Sequence, residues 1–438
     1  MTLRRFYQYS DLTGQKFERM SPPVMLFLIS LFGGRWISYI GLPSTPIFFL
    51  DIAFVVFGCI YSLKGWFFLE KKEGVSNRYA NSQITVRVTN IFLLLVFVFI
   101  LFQIIRMYSY PMFLVIRDCV PLFYPLLAVG IAKKIKHQSI EQLFKWIIVV
   151  GVLHCLWSIP TAIGIIQPIH LGGIFKQPLF DFRPDQTAIV ISITIIAAFD
   201  LLGKNIAVFF NSFLLGTLPF LSLLLHSRAS FLAIMTSFTL GLLLLKRQGK
   251  KSVFAKFALS SFILLITSIL LATSSGYKLP ANSVVYRMGL IKGADSYFVE
   301  QAYWTKFGRE QGQEKLLEWI KDNNYYWLGA GPGSEMMLES GAIKYLSGDP
   351  TVRSPHSWPV SAFSRFGMIG LILWLLTCCS ILWGKVKTTN KRDLISLYIA
   401  LIPILIVSQF GVVMEAPFGL IPFVSIMALV RSRLINSV

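Results

Sequence analysis

Residues 274–358 read SSGYKLP ANSVVYRMGL IKGADSYFVE QAYWTKFGRE QGQEKLLEWI KDNNYYWLGA GPGSEMMLES GAIKYLSGDP TVRSPHSW. The chain around this polar passage is built of long apolar runs, and that contrast decides the fold. Of 438 residues, 55% are hydrophobic and only 14% charged, with a mean hydropathy of +0.65. Such a composition excludes an ordinary soluble protein and implies an all-α polytopic membrane protein. A bilayer core takes roughly 20 mostly apolar residues per helix, which predicts about twelve spans. They are Val24–Ile40, Ile47–Phe68, Thr89–Ile105, Pro111–Ile131, Trp146–Ile166, Gln186–Leu202, Ile206–Leu225, Ala229–Leu245, Phe254–Ala272, Val360–Trp383, Leu394–Gly411 and Pro417–Val430. The predicted organisation is a membrane domain of nine spans over 1–273, a mainly helical loop subdomain over 274–358, and three further spans over 359–438.

The chain carries 41 Lys+Arg against 21 Asp+Glu, a formal charge of +20. In a soluble protein that excess would suggest nucleic acid. Here the positives sit in short loops, where they set orientation and imply no nucleic-acid partner. Lys71-Lys72, Lys133-Lys134, Lys246-Arg247, Lys385 to Arg392, and Arg431 with Arg433 alternate onto one side with the N-terminus. Both termini are therefore predicted to be cytoplasmic and 274–358 external. The polar N-terminus shows no small-residue cleavage pattern after its first apolar run, which reads as a retained span. All five cysteines lie in apolar runs, so the external segment has neither a disulfide framework nor a zinc ligand set.

Charged groups within or beside spans need a reason, since Arg at a helix centre costs about 2.5–3.5 kcal/mol on insertion scales. Arg117 and Asp118 are neighbours on one predicted helix and so cannot face each other; each should pair with another span. Arg35 is a further intramembrane cation. Arg365, near the start of its span, is expected to snorkel outward. Arg228, in the break Ser227-Arg228-Ala229, either grips phosphate through its guanidinium fork or anchors a helix end at lipid headgroups. Arg183 precedes Pro184-Asp185, where Asp185 is expected to cap the next helix, and is a weaker anion ligand.

Within the polar passage, Arg309 to Asp322 predicts a helix with Leu316, Leu317 and Ile320 on one face, and Ser334 is placed as the cap of a short helix through Met336, Met337 and Ile343. Glu310, Glu314 and Glu318 read as a solvated helix face. The turn Gly329-Ala330-Gly331-Pro332-Gly333 is either a plain tight turn or a nest whose N–H groups face an anion. It is neither a Walker loop nor a dinucleotide fingerprint. His356 stands between Pro355 and a helix start, where the dipole disfavours imidazolium, so it is either ordinary surface or a neutral base.

The joint arrangement resembles the O-antigen ligase and O-antigen polymerase superfamily of integral membrane glycosyltransferases. The resemblance rests on the twelve-span layout, the large external loop and the order of short motifs. Ser227-Arg228 matches the family's Ser-Arg pair at a span, Arg309 with Gly329 and Gly331 its external Arg and Gly-x-Gly turn, His356 its His before the next span, and Gly367 with Gly370 its Gly-x-x-Gly step. Arg287 competes with Arg309 for the external-arginine role. The sequence departs from the family where Ser357 follows the His and where Arg365 stands in place of an acidic residue.

The resemblance implies transfer of a glycan from an undecaprenyl-pyrophosphate carrier to a sugar hydroxyl at the periplasmic face of a bacterial inner membrane, in polysaccharide or lipopolysaccharide biosynthesis. It implies His356, Arg309 and Arg228 as catalytic residues, with Arg287, Arg183, Gly329, Gly331 and Arg365 as substrate contacts. No metal and no other cofactor is implied. The acceptor is a second lipid-linked glycan for a polymerase, or lipid A core or protein for a ligase, with chain-length regulators or flippases as candidate partners. A polysaccharide transporter or flippase is the competing class, although no internal repeat supports it.

Overall fold

The computed structural model describes residues 20–42, 48–67, 80–225, 227–247, 296–346, 352–384 and 391–435. In chain order its helices are α1 (Pro22–Ser38), α2 (Phe49–Phe67), α3 (Ala80–Arg106), α4 (Met112–Ile135), α5 (Ile140–Ala162), α6 (Pro184–Gly203), α7 (Val208–Leu221), α8 (Arg228–Arg247), α9 (Ser296–Asp322), α10 (Met336–Glu339), α11 (Ile343–Leu346), α12 (Trp358–Leu382), α13 (Lys391–Ser408) and α14 (Pro417–Ile435). Among the described residues the chain is helical, with only isolated β-bridges. Among the described residues, seven helices are long and apolar enough to cross a membrane: α3 to α6, α8, α12 and α14. Helices α1, α2 and α7 are shorter apolar helices, and α13 opens on Lys391-Arg392-Asp393. The expected ninth run, Phe254–Ala272, and Arg287 lie outside the described residues.

Helix α6 organises the bundle. Its sequence is apolar or small and polar on every side, which suits a helix enclosed by other helices or by lipid. Every residue from Gln186 to Gly203 is buried, under α5, α7, α8 and α13. Extended Arg183 and the helix-compatible φ of Pro184 set its start, one residue ahead of Asp185. Asp185 therefore lies within the first turn, where its Oδ1 accepts from Gln186 N at 3.0 Å. The second internal helix, α14, packs on α1, α4, α12 and α13.

The basic ends gather at one end of this bundle. Lys204 bridges Asp200 at 2.7 Å and Asp393 at 2.9 Å, joining the end of α6 to the start of α13. Arg431 donates to Trp383 O at 3.2 Å, and Arg433 donates to Gln138 O. The starts of α6, α8 and α12 and the end of α13 lie at the other end.

The described part of the polar passage packs against the bundle. Helix α9 begins at Ser296, earlier than the sequence suggested, and buries Leu316 and Ile320 while Leu317 stays exposed. Leu317 is set apart because one face of α9 meets α11 and α12 and the other does not. Ser334 caps nothing. Its hydroxyl donates to Gly331 O at 2.7 Å inside the turn, and α10 and α11 are two separate short helices.

The glycine turn has a structural task, in which the backbone N–H groups of Gly329 and Gly331 are taken up by carbonyls of the chain. Helix α12 kinks at Gly367 (φ 66°, ψ −170°), a region in which only glycine is at ease. The kink leaves backbone groups without helical partners, and the stretch 325–331 supplies them. Ala330 N donates to Ser364 O (2.8 Å) and Gly331 N to Arg365 O (2.9 Å), while Met368 N and Ile369 N donate back to Tyr326 O and Trp327 O at 2.9 and 3.2 Å. Gly329 N goes to Tyr325 O at 2.8 Å. Both glycines are needed for this splice, since a Cβ at Gly329 or Gly367 would lie 2.3 Å from the opposing backbone. Arg106 and Gln103 of α3 donate to Leu328 O, each at 2.9 Å, and clamp the splice from outside.

Candidate functional site

Two adjoining compartments open at the end of the bundle remote from the basic loops. The larger, of about 640 Å³, is lined by the start of α6 (Arg183, Pro184, Asp185), the start of α8 (Ser227, Arg228, Ala229), one side of α9 (Lys306, Arg309, Glu310, Gln313), His356, and the end of α13 through Gly411. The smaller, of about 300 Å³, is lined by Arg35, Tyr39, Arg117, Asp118, Arg353, Ser354, Arg365 and Glu415. Arg183 and His356 line both and stand at the junction.

Residues far apart in sequence thus meet: Arg183, Arg228, Arg309 and His356 share the larger cavity. Arg228 is the first residue of α8, where Ser227 Oγ caps the helix by accepting from Ser230 N at 3.3 Å. Arg309 reaches across from α9, and its Nη1 donates to Phe410 O at 3.3 Å. Arg183 pairs with Asp185 at 3.5 Å and lies over the Phe418 ring. Helices α6 and α8 also direct their N-termini here, each worth roughly half a positive charge. The cavity wall carries Arg183, Arg228, Lys306 and Arg309 against two carboxylates, Asp185 and Glu310.

His356 adopts a left-handed backbone (φ 56°), unusual outside glycine and costing of order 1–3 kcal/mol unless its surroundings fix it. They do so on both sides. Gln313 Nε2 donates to Pro355 O (3.1 Å), Ser354 Oγ to Glu415 Oε1 (2.7 Å), and Arg365 Nη2 to Arg353 O (2.7 Å). Burial lowers the His356 pKa, and the positive charges of Arg309 and Arg183 push it the same way, against the weaker pull of Glu415 and Asp185. The ring is therefore neutral near pH 7 and able to accept a proton.

Behind the histidine lies a buried ion network. Arg365 does not snorkel: the residue is 3% exposed. Its Nη1 meets Glu415 at 3.0 Å and its Nε meets Asp118 Oδ2 at 3.3 Å. The same oxygen takes Arg353 Nη2 (2.8 Å) and Gly333 N (2.9 Å). Asp118 thus pairs with another span, as its sequence position implied, and Arg365 supports the 353–356 segment from inside. Arg35 pairs with Asp181 at 3.0 Å. Sequence reading passed over Arg353 and Glu415. The signal for Glu415 was present, since it is the sole carboxylate in the short break between the last two apolar runs.

Residues 212–375 match the family model described as O-antigen ligase, whereas among curated proteins none matches the chain. Over that stretch the match supports the resemblance to the O-antigen ligase/polymerase superfamily. The match runs from within α7 into α12 and includes Arg228, Arg309 and His356; Arg183, Asp185 and Glu415 join the site from outside it.

Proposed function

We propose that the larger cavity holds the pyrophosphate of a lipid-linked glycan donor and that His356 prepares the hydroxyl of an acceptor sugar, making the protein a polysaccharide polymerase at the external face of the membrane. The observation that carries this reading is the convergence of Arg183, Arg228, Arg309 and a neutral His356 on one cavity at a helix-bundle end. A lipid pyrophosphate is already a good leaving group. What the reaction needs is cationic stabilisation of developing charge and a base, and charge-assisted bonds of about 1.5–3 kcal/mol each can supply the first.

In the proposed step, the acceptor oxygen attacks the anomeric carbon as its proton passes to His356, and the glycosyl–phosphate bond breaks. The electron pair leaves with undecaprenyl pyrophosphate, held by Arg228 and Arg309. General-base assistance typically contributes about 10²–10⁴ in rate. Direct displacement inverts the anomeric centre. Gly329, Gly331 and Arg365 act by building the site, and Arg183 stands where donor and acceptor would meet.

Transfer to lipid A core is the second reading, favoured by the ligase description of the matched family. The test is to incubate the purified protein with an undecaprenyl-pyrophosphate glycan, without nucleotide sugar or ATP, offering a second lipid-linked glycan and a lipid A core in separate reactions. Longer glycan supports the polymerase and core conjugate the ligase. Neither product from folded protein would refute the transferase.

A further inference from the structure

The smaller compartment has its own electrostatic signature. Five arginines line it, Arg35, Arg117, Arg183, Arg353 and Arg365. Four of them are matched by carboxylates: Arg35 by Asp181, Arg183 by Asp185, Arg353 by Asp118, and Arg365 by Glu415. Arg117 is left over, with no hydrogen bond and no ion pair among the described residues. Asp51, the other carboxylate whose field it shares, is engaged by the Tyr124 hydroxyl. Lys176, also close enough to interact with Arg117, adds a further positive charge. The compartment therefore carries an excess of positive charge, and Arg117 is the lining cation that no carboxylate bridges. In addition, the buried Nε atoms of Arg35 and Arg353 have no hydrogen-bond partner among the described residues. Buried donors are normally satisfied, so such atoms point to a missing acceptor.

We infer that this compartment binds the carboxylate of an acidic sugar in the acceptor glycan, with Arg117 as its counter-ion. The inference rests on the glycosyltransferase reading of the larger cavity and adds to it the chemical class of acceptor. About 300 Å³ lies at the low end of ligand pockets and suits a single sugar unit. A carboxylate brings one charge and a planar pair of acceptors that a guanidinium fork matches, whereas a phosphate monoester brings about −1.5 to −2. The fork of the unbridged Arg117 therefore matches the planar carboxylate of a uronic acid. His356, shared by both compartments, lies between this acceptor subsite and the donor cavity.

The experiment uses the purified full-length protein with the native lipid-linked glycan and two acceptors, the same glycan untreated and after carbodiimide–borohydride reduction of its carboxyl groups to alcohols. The expected result is a preference of at least about tenfold in kcat/KM for the untreated acceptor, carried mainly by KM. Arg117→Gln should remove the preference, and Arg117→Lys should retain part of it. Free glucuronate should compete with the untreated acceptor while free glucose does not, a measurement on wild-type protein that stands even if the variants fail to fold. Equal use of both acceptors, an absence of carboxyl groups from the native glycan, or a preference that survives Arg117→Gln would overturn the carboxylate subsite and leave the transferase reading intact. No transfer to either acceptor would overturn the transferase reading and this one with it.

Discussion

Replacing Gly367 by Ala should damage the protein more than any surface change, and the size of the effect follows from the splice. The backbone at φ 66°, ψ −170° lies where a residue with a Cβ costs roughly 1–3 kcal/mol. The new methyl would sit 2.3 Å from Trp327 C and O and 2.5 Å from Leu328 N, all of them backbone atoms with no rotamer to move. Relief requires the 325–331 stretch to withdraw, breaking Met368 N to Tyr326 O and Ile369 N to Trp327 O. Each of those bonds is worth a net ~0.5–1.5 kcal/mol, so the whole destabilisation is about 2–6 kcal/mol. The assay is thermal unfolding of detergent-solubilised protein followed by tryptophan fluorescence. Gly172→Ala serves as reference: that glycine also has positive φ (69°), but nothing lies within 4 Å of an added Cβ. Its cost is the left-handed strain alone, roughly 1–2 kcal/mol. If Gly367→Ala unfolds no more easily than Gly172→Ala, the backbone splice does not support the fold.

Asp118→Ala should destabilise by about 3–5 kcal/mol, because it strips a buried partner from Arg353 and Arg365 together; an unchanged unfolding temperature would show that the network is idle. Because His356 must be neutral to act and its pKa is held below the ordinary value, transfer should stay level from neutral pH downward and fall only on the acid side of the usual histidine range. Arg309→Gln removes one of the charges that depress it, so the acid limb of kcat should move to higher pH; a limb that stays put or moves lower would remove His356 as the titrating base.

The sequence carried the fold class and much of the larger cavity because both depend on local signals. Apolar run length locates helices, and Arg228, Arg309 and His356 each mark a boundary between apolar and polar chain. What it did not carry are facts that exist only across the fold. Arg365 looked like a snorkelling end residue because Asp118 and Glu415, its partners, are 247 and 50 residues away, counted from their positions. The turn at 329–333 left a plain turn and an anion nest both open because the acceptors of Ala330 N and Gly331 N, the carbonyls of Ser364 and Arg365, are freed only by a kink at Gly367. Likewise the smaller compartment is assembled from α1, α4, α12 and three separate loops, and no one of these announces it.

In the proposed site Arg228 of α8 and Arg309 of α9 together hold a lipid pyrophosphate, and this assignment can be measured. It is tested most directly by the equilibrium binding of undecaprenyl pyrophosphate and undecaprenol to wild-type protein, Arg228→Ala and Arg309→Ala in the same detergent. Wild-type protein should prefer the pyrophosphate, and each substitution should weaken that binding by roughly 10- to 150-fold while leaving undecaprenol binding unchanged. Equal affinity of the wild-type protein for both lipids, or full pyrophosphate binding in both variants, would contradict the account.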